Sequence, residues 1–401
     1  MRIAMIGLRG IPATYGGVER AVEELSAHLV ERGHDVTVYA RSAYSDADVD
    51  EHRGVRVVRL PQVNTKHLEA ASHSAVALTH ALLRRRFDVI HLHATGPGAL
   101  SPLPRLAGTP TVVTIRGLDW RREKWGPAAR TVLQAAAALS ARSPDRTIVV
   151  SRELKRYFAE HHGVDPVYIP NGVHEESDEG VPPDPDLRPD RFVLFLGRLV
   201  PEKHVHTLIR AYRRVEGDLP LVVAGPDSHS PEYVEQLRAL AADDPRVRLL
   251  GPQYGPHKAW LMRNALAFVQ PSSIEGLPIA LLEALSAARY PVVSSIPENL
   301  EPVTVGDETL GHTTPVGDER ELAEAIEGAI EAPDRAAVGR RLREHVRDQY
   351  DWRTIAEATE ATYRDVVTDR RPAPGFRRRW LRAARRRGRL LPPRFARPRR
   401  P

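Results

Sequence analysis

The sequence predicts an α/β protein made of two doubly wound, Rossmann-like units that face each other across a cleft. Three observations predict it. Apolar, strand-like runs alternate with amphipathic helices along most of the chain, the order that produces parallel sheets. The alternation breaks once, at the acid- and proline-rich stretch HEESDEGVPPDPDLRPD, and then restarts. A chain of 401 residues is also longer than one ordinary α/β core and suits two.

In the first unit, residues 1–173, RIAMIG reads as a buried strand and Val18 to Arg32 as an amphipathic helix stopped by Gly33. DVTVYA is the second strand. VRVVRL, DVIHLHA, TVVTIRG and RTIVVS follow with helices between them, and VYIPNGV closes the unit. TVLQAAAALSA, between Arg130 and Arg142, reads as a buried helix. Residues 174–190 form the linker. The second unit, 191–350, opens with the strand RFVLFLG and the helix HVHTLIRAYRRV. PLVVAG, RVRLLG, AFVQPS and PVVSS continue the strands, with PEYVEQLRALAADD and ERELAEAIEGAI as helices. Residues 351–369 predict a last helix, and 370–401 an Arg-rich tail. Two such units place the carboxyl ends of two sheets on one gap, where ligands of α/β proteins bind.

Composition narrows the function classes. The chain has no cysteine, which excludes disulfides, thiolate catalysis and Cys-ligated metals and fits a reducing cytosol. MRIAMIGLRGIP does not read as a secretory signal, and no run approaches the roughly 20 apolar residues of a membrane span. The expected location is therefore cytoplasmic. The net charge of +6 comes from the tail, which holds 14 Arg and no acid and leaves −8 on residues 1–369. An acidic body argues against nucleic acid as a partner. In the tail, Phe376 and Trp380 recur at helical spacing among arginines. That pattern fits an interfacial helix on anionic lipid, or nonspecific nucleic-acid binding by the tail alone, or a basic tail without a dedicated partner, or one that folds onto the acidic body.

Three constellations carry chemistry. GLRGIPATYGGVE follows the first strand. It is not GxGxxG, which removes the dinucleotide fingerprint of a nicotinamide dehydrogenase. Gly16 and Gly17 still precede a helix, where bare amides suit a phosphate, or a turn needing positive φ. In the second unit, Arg198 and Lys203 follow a strand ending in Gly. They would grip a diphosphate, or stand as solvated loop charges. The most informative stretch is PSSIEGLPIALLEALSAARYPVV. Glu275 lies at the expected helix entry with Gly276, Leu277 and Pro278. Glu283 is the only charge on an otherwise apolar helix. Such a carboxylate needs hydrogen-bond donors, which ribose hydroxyls or a protein partner would supply.

YGGVERAVEELSAHLVERGHDVTVY, IPNGV, FLGRLVPEKHVHTLI and the E-x7-E pair resemble the family-4 retaining glycosyltransferases of GT-B fold, over most of residues 1–369. MRIAMIGLRGIPATYGG, RGLDWRREKWG and SSIPENLE further resemble bacterial cell-surface polysaccharide enzymes that include rhamnosyltransferases. The resemblance implies that the first domain, 1–173, binds the acceptor, that the second, 191–350, binds the nucleotide sugar, and that the final helix crosses back to the first domain. It assigns Gly16, Gly17, Arg198 and Lys203 to the donor diphosphate. Glu275, with Gly276 and Leu277, goes to the transferred sugar, and Glu283 to the ribose. It implies a nucleotide-sugar donor, a glycan or lipid-linked acceptor and no metal or other cofactor. The chain departs from the family at Arg116, where a sugar-contacting His is usual, and at Arg289, where Gly is usual. Arg116 can donate but cannot act as a base. It keeps open a nucleotide-sugar-binding protein with impaired catalysis, beside a transferase acting on a small metabolite or lipid.

Overall fold

The computed structural model describes residues 1–13, 16–44, 48–63, 69–84, 87–121, 125–173, 180–227 and 231–369. The tail 370–401, and with it the lipid-binding expectation, lies outside the described residues, as does the linker stretch 174–179.

In the N-terminal domain the elements run β1 (Arg2–Ile6), α1 (Gly16–Glu31), β2 (Asp35–Arg41), β3 (Glu51–His52), β4 (Val55–Leu60), α2 (Glu69–Arg84) and β5 (Val89–His93). They continue with α3 (Thr95–Gly98), α4 (Pro102–Leu106), β6 (Thr111–Ile115), α5 (Pro127–Arg142), β7 (Arg146–Val149), α6 (Arg152–His162) and β8 (Val167–Tyr168). The sheet order is β3-β4-β2-β1-β5-β6-β7-β8. Every pairing is parallel except that of the short β3 with β4.

The C-terminal domain holds β9 (Val193–Leu196), α7 (Val205–Tyr212), β10 (Leu221–Ala224), α8 (Pro231–Ala242), β11 (Val247–Gly251), α9 (Gly255–Asn264), β12 (Ala267–Gln270), α10 (Ile279–Ser286) and β13 (Tyr290–Ser294). After these come α11 (Pro297–Leu300), the hairpin β14 (Thr304–Val305) and β15 (Glu308–Thr309), β16 (His312–Thr314), α12 (Glu319–Glu331) and α13 (Arg335–Gln349). Its parallel sheet runs β11-β10-β9-β12-β13-β16. The strand order reverses between β1 and β5 and again between β9 and β12. In open α/β sheets the crevice at such a reversal, at the carboxyl ends of the strands, is where ligands sit.

The last helix, α14 (Trp352–Thr368), starts at Asp351, whose carboxylate accepts from the Thr354 amide at 3.0 Å. Its apolar stripe, Trp352, Ile355, Ala356, Tyr363 and Val366, joins the N-terminal core formed by Ile3, Met5, Val22 and Val38. Glu360 on the same helix takes Arg32 Nε at 2.8 Å and His34 Nε2 at 2.9 Å. The chain therefore closes on the domain where it began.

Two expectations are corrected. α5 buries only Ala137, Ser140 and Ala141, and Val132 is 68% exposed, so this apolar helix lies on the surface rather than inside. Its small alanines let it seat against α3 along a narrow stripe, which leaves the rest uncovered. The helix after Glu275 begins at Ile279, with Pro278 extended at its cap, so Glu275 to Leu277 form a turn rather than a helix entry. Arg289, in place of the expected glycine, binds Asp190 Oδ1 at 2.9 Å and the Ala265 carbonyl at 2.8 Å, tying the linker's end to the domain.

Candidate active site

Both strand-order reversals open on one interdomain gap, and chain geometry sets what lines it. From the N-terminal side, Gly16 (φ +72°) and Gly17 form the first turn of α1, both exposed. A Cβ on Gly17 would lie 3.1 Å from Ile279 Cδ1, the first residue of α10 in the other domain. A Cβ on Gly276 would overlap the carbonyl oxygen of Arg116. Only glycine lets these two main chains meet.

Arg116 follows β6. Its Nη1 donates to Asn171 Oδ1 at 2.5 Å, and Asn171 Nδ2 donates to the Leu277 carbonyl at 3.1 Å. The guanidinium thus reaches the other domain through an amide. Its Nε is shut off from solvent with no hydrogen-bond partner among the described residues. Burial pushes its pKa down to about 10, against the opposing charge of Glu19. Beneath it, His91 and His93 point to the same side of β5 with ring centroids 4.1 Å apart. His91 bonds Tyr363 Oη at 2.6 Å and Thr114 Oγ1 at 2.7 Å. Burial lowers His91 to about 3 and holds His93 well below the usual imidazole value, with Arg116 adding to both. Neutral rings are what a buried cation can tolerate beside it.

On the C-terminal side, Arg198 is half-buried beyond β9, and Lys203 ends the next turn. Lys203 Nζ forms an ion pair with Glu275 Oε1. The same oxygen accepts from Gln270 Nε2 at 2.5 Å, and Gln270 Nε2 also reaches Ser272 Oγ at 2.8 Å. Sequence reasoning missed Gln270. The visible signal was an amide in the last position of an otherwise apolar strand. Glu283, on α10, pairs with Lys258 Nζ of α9 at 2.5 Å and faces Arg20 Nε of α1 at 3.8 Å. Lys258, also missed, satisfies the buried carboxylate without a ligand.

The structure brings Gly17 to Ile279, Arg116 to Gly276 and, through Asn171, to Leu277, and Arg20 to Glu283 across the two domains, with Lys203 on Glu275; Gly16 opens α1 beside Gly17, and Arg198 stands half-buried beyond β9. It divides them into two carboxylate–lysine pairs on one wall and glycine amides with a braced arginine on the other. The groups such a gap offers an anion are the amides at the start of α1 and the Lys203 ammonium.

Two Rossmann-like domains facing a gap, with a helix returning from the second to the first, define a glycosyltransferase of GT-B architecture. Residues 15–177 match the model of Glycosyltransferase Family 4, and residues 184–347 that of Glycosyl transferases group 1. A phosphatidyl-myo-inositol mannosyltransferase of Mycobacterium leprae is 31% identical, over 92% of this chain and 98% of that protein. The chain belongs to the family-4 GT-B glycosyltransferases and is a glycosyltransferase enzyme. Among solved structures, a sucrose-phosphate synthase from Thermosynechococcus elongatus superposes with TM-score 0.80 at 21% identity, covering 92% of this chain and 100% of that one. Anabaena Alr3699/HepE, solved in complex with UDP and glucose, gives TM-score 0.72 at 20% identity, with 90% and 99% covered. At those identities the two structures support the fold. No helix among the described residues is long and apolar enough to cross a membrane.

Proposed function

We propose that the chain moves a hexose or deoxyhexose from a nucleoside-diphosphate sugar to a glycan or lipid-linked acceptor in cell-surface polysaccharide synthesis, with retention at the anomeric carbon and without a metal. The observation that carries this reading is the Lys203–Glu275 pair, set at the C-terminal strand reversal in the turn whose Gly276 meets the Arg116 carbonyl of the other domain. Cleaving the bond from the anomeric carbon to the phosphate oxygen leaves positive charge on the sugar and negative charge on the diphosphate. Lys203, turning from Glu275 to the phosphates, and Arg198 stabilise that leaving group together with the α1 amides. Glu275, still held by Gln270, then accepts from a sugar hydroxyl. The acceptor hydroxyl attacks from the face the diphosphate leaves, and its proton passes to a leaving phosphate oxygen. Glu283 and Lys258 hold the ribose end. The tail 370–401 would bring the enzyme to an anionic inner membrane face, which co-sedimentation with anionic liposomes tests against a chain ending at Asp369.

A thermal-shift screen with UDP, GDP, dTDP and ADP identifies the base, because a ligand of the folded state raises Tm by mass action. The matching nucleotide sugars are then assayed for hydrolysis and transfer, with and without EDTA. Lys203→Ala and Glu275→Ala are each expected to lose about 100-fold or more in turnover while remaining folded. Full activity in either variant contradicts the assignment. Nucleotide binding with no turnover of any donor would support the impaired, binding-only alternative instead.

A further inference from the structure

SSIPENLE, residues 294–301, has no part in the diphosphate grip, yet two of its side chains hold the turn that carries Glu275. The reason starts in the main chain. β12 ends at Gln270, and Pro271 has no N–H with which to continue a ladder. Buried carbonyls of a chain leaving its sheet need donors from elsewhere. Ser294, the last residue of β13, donates its hydroxyl to the Ser272 carbonyl at 2.5 Å. Asn299, on α11, donates from Nδ2 to Ser294 Oγ at 2.8 Å and to the Gln270 carbonyl at 3.2 Å. The carbonyls on both sides of Pro271 are thus held by side chains of this one segment. Gln270 Nε2 in turn gives its two hydrogens to Ser272 Oγ at 2.8 Å and to Glu275 Oε1 at 2.5 Å.

Gln270, Ser272, Ser294 and Asn299 are each at most 1% exposed. Every N–H of the two amides is spent, and the donors run one way, from α11 through the two strand ends to the Glu275 carboxylate. The amide oxygens, Gln270 Oε1 and Asn299 Oδ1, are buried with no hydrogen-bond partner among the described residues. Two unsatisfied acceptors cost stability, and apolar side chains of the same shape would avoid that cost. What the amides supply instead is direction, because a chain of buried hydrogen bonds fixes one arrangement of the groups along it. Direction matters at Glu275, whose lysine is the mobile partner. When Lys203 turns to the phosphates, the carboxylate keeps Gln270, and Gln270 keeps its place through the main chain that Asn299 and Ser294 hold. The Ser273 amide, on the Glu202 carbonyl at 2.9 Å, ties the same turn to the loop of Lys203.

We propose that Asn299 is a positioning residue for the transfer reaction. Through Ser294 and the Gln270 carbonyl it holds the turn from Pro271 to Glu275, so that the carboxylate keeps one place while its lysine leaves. The proposal rests on the reading that Glu275 contacts the transferred sugar.

The test uses the full-length chain and the donor found active above. Asn299→Leu removes both donated bonds with little change of volume. It is expected to lower kcat about tenfold, the cost of a reacting group held slightly out of place. Donor KM and the Kd of the matching nucleoside diphosphate should each stay within about twofold. Ser294→Ala removes one donor and disturbs the core less. It is expected to lower kcat about threefold, and it carries the same test if Asn299→Leu does not fold. Each change is then added to Glu275→Ala, whose slow turnover is read from the nucleoside diphosphate it accumulates. There each should cost less than about twofold, because the group being positioned is gone. Wild-type kcat in both variants overturns the proposal. So does the same fold-loss repeated on Glu275→Ala, or a nucleoside diphosphate Kd that weakens in step with kcat, which a loosened core alone would produce. Full turnover by Glu275→Ala itself counts instead against the reading of Glu275, and a wild type inert toward every donor against the transferase reading beneath it.

Discussion

The two walls of the gap solve the same electrostatic problem in opposite ways. The C-terminal wall presents charge in pairs, Lys203 with Glu275 and Lys258 with Glu283, each exposed over only about a tenth of its side-chain surface. The N-terminal wall presents main chain: the α1 amides, the Arg116 carbonyl against Gly276, and a guanidinium locked onto Asn171. The chain contains 53 Arg and only 5 Lys, yet both acids of the pair are matched by Lys. A compact ammonium on a flexible stem can leave one anion for another, whereas a planar fork is fixed by its geometry. One wall is built to exchange partners and the other to stay still.

The sharpest way to break that contrast is at the glycines. Gly276→Ala places a Cβ on the Arg116 carbonyl, and neither main chain can yield without parting the domains. We expect a loss of about 100-fold or more, the cost of misplacing reacting groups by an ångström or so. Small-angle scattering should show a larger radius of gyration. Gly17→Ala places its Cβ against the tip of Ile279, a side chain that can rotate, and should retain most activity. Equal losses would show that the walls are equally rigid.

Arg116 comes next. Arg116→Met leaves the buried Asn171 oxygen without its donor, an unsatisfied acceptor costing about 1–3 kcal/mol. We expect about a tenfold fall in kcat, since the turn at Leu277 loses its brace. Arg116→Lys should restore little of it, because an ammonium cannot reproduce the fork. A Lys variant as active as wild type would mean that charge alone is used at this position. On the opposite wall, Lys258→Met should act through binding. Glu283 loses its near partner but keeps Arg20 at 3.8 Å, so the donor KM should rise about fivefold, within the range of a partly exposed charge-assisted bond, with kcat little changed.

The sequence made the architecture legible because short apolar runs, glycine stops and one proline-rich interruption are local signals. β1, β2, β4 to β7 and β9 to β13 all lie where those runs stand. The short β3, β16 and α13 left little trace. Two- and three-residue strands have no period to read, and α13 is an arginine-rich helix whose buried face is only Val338, Gly339, Leu342 and Val346. At the gap, Glu283 was legible because a lone charge on an apolar helix is costly, Glu275 because it stands at the expected helix entry, and Lys203 because it follows a strand ending in Gly. Their partners were not. Gln270 and Lys258 stand 5 and 25 residues from the acids they serve, and only the sheet order brings them together. α5 misled for a related reason. An alanine-rich run looks buried on every side until its neighbour's width is known.

The smallest expected effect separates the walls by pH. Beneath the N-terminal wall, His91 and His93 are held neutral. The unfolded chain takes up protons near 6.5 that the folded protein refuses down to about 3 at His91, so this part of the stability is lost as pH falls below 6.5. On the C-terminal side, burial first, with Glu153 and Glu275 adding, raises Glu298 to about 7. There the folded state holds a proton that the unfolded state releases near 4.5, so stability is lost as pH rises from about 4.5 to 7. The two contributions oppose each other across the same range, and wild-type Tm alone cannot separate them. Glu298→Gln removes only the second. Its Tm should exceed wild type by several degrees at pH 8 and fall back to match it near pH 4.5, since each kcal/mol is worth about 2–4 °C in a domain of this size. His91→Asn should lower Tm at pH 7, because Tyr363 and Thr114 lose a partner, but by less at pH 5. If both variants track wild type in parallel across that range, neither wall carries the pH dependence assigned to it.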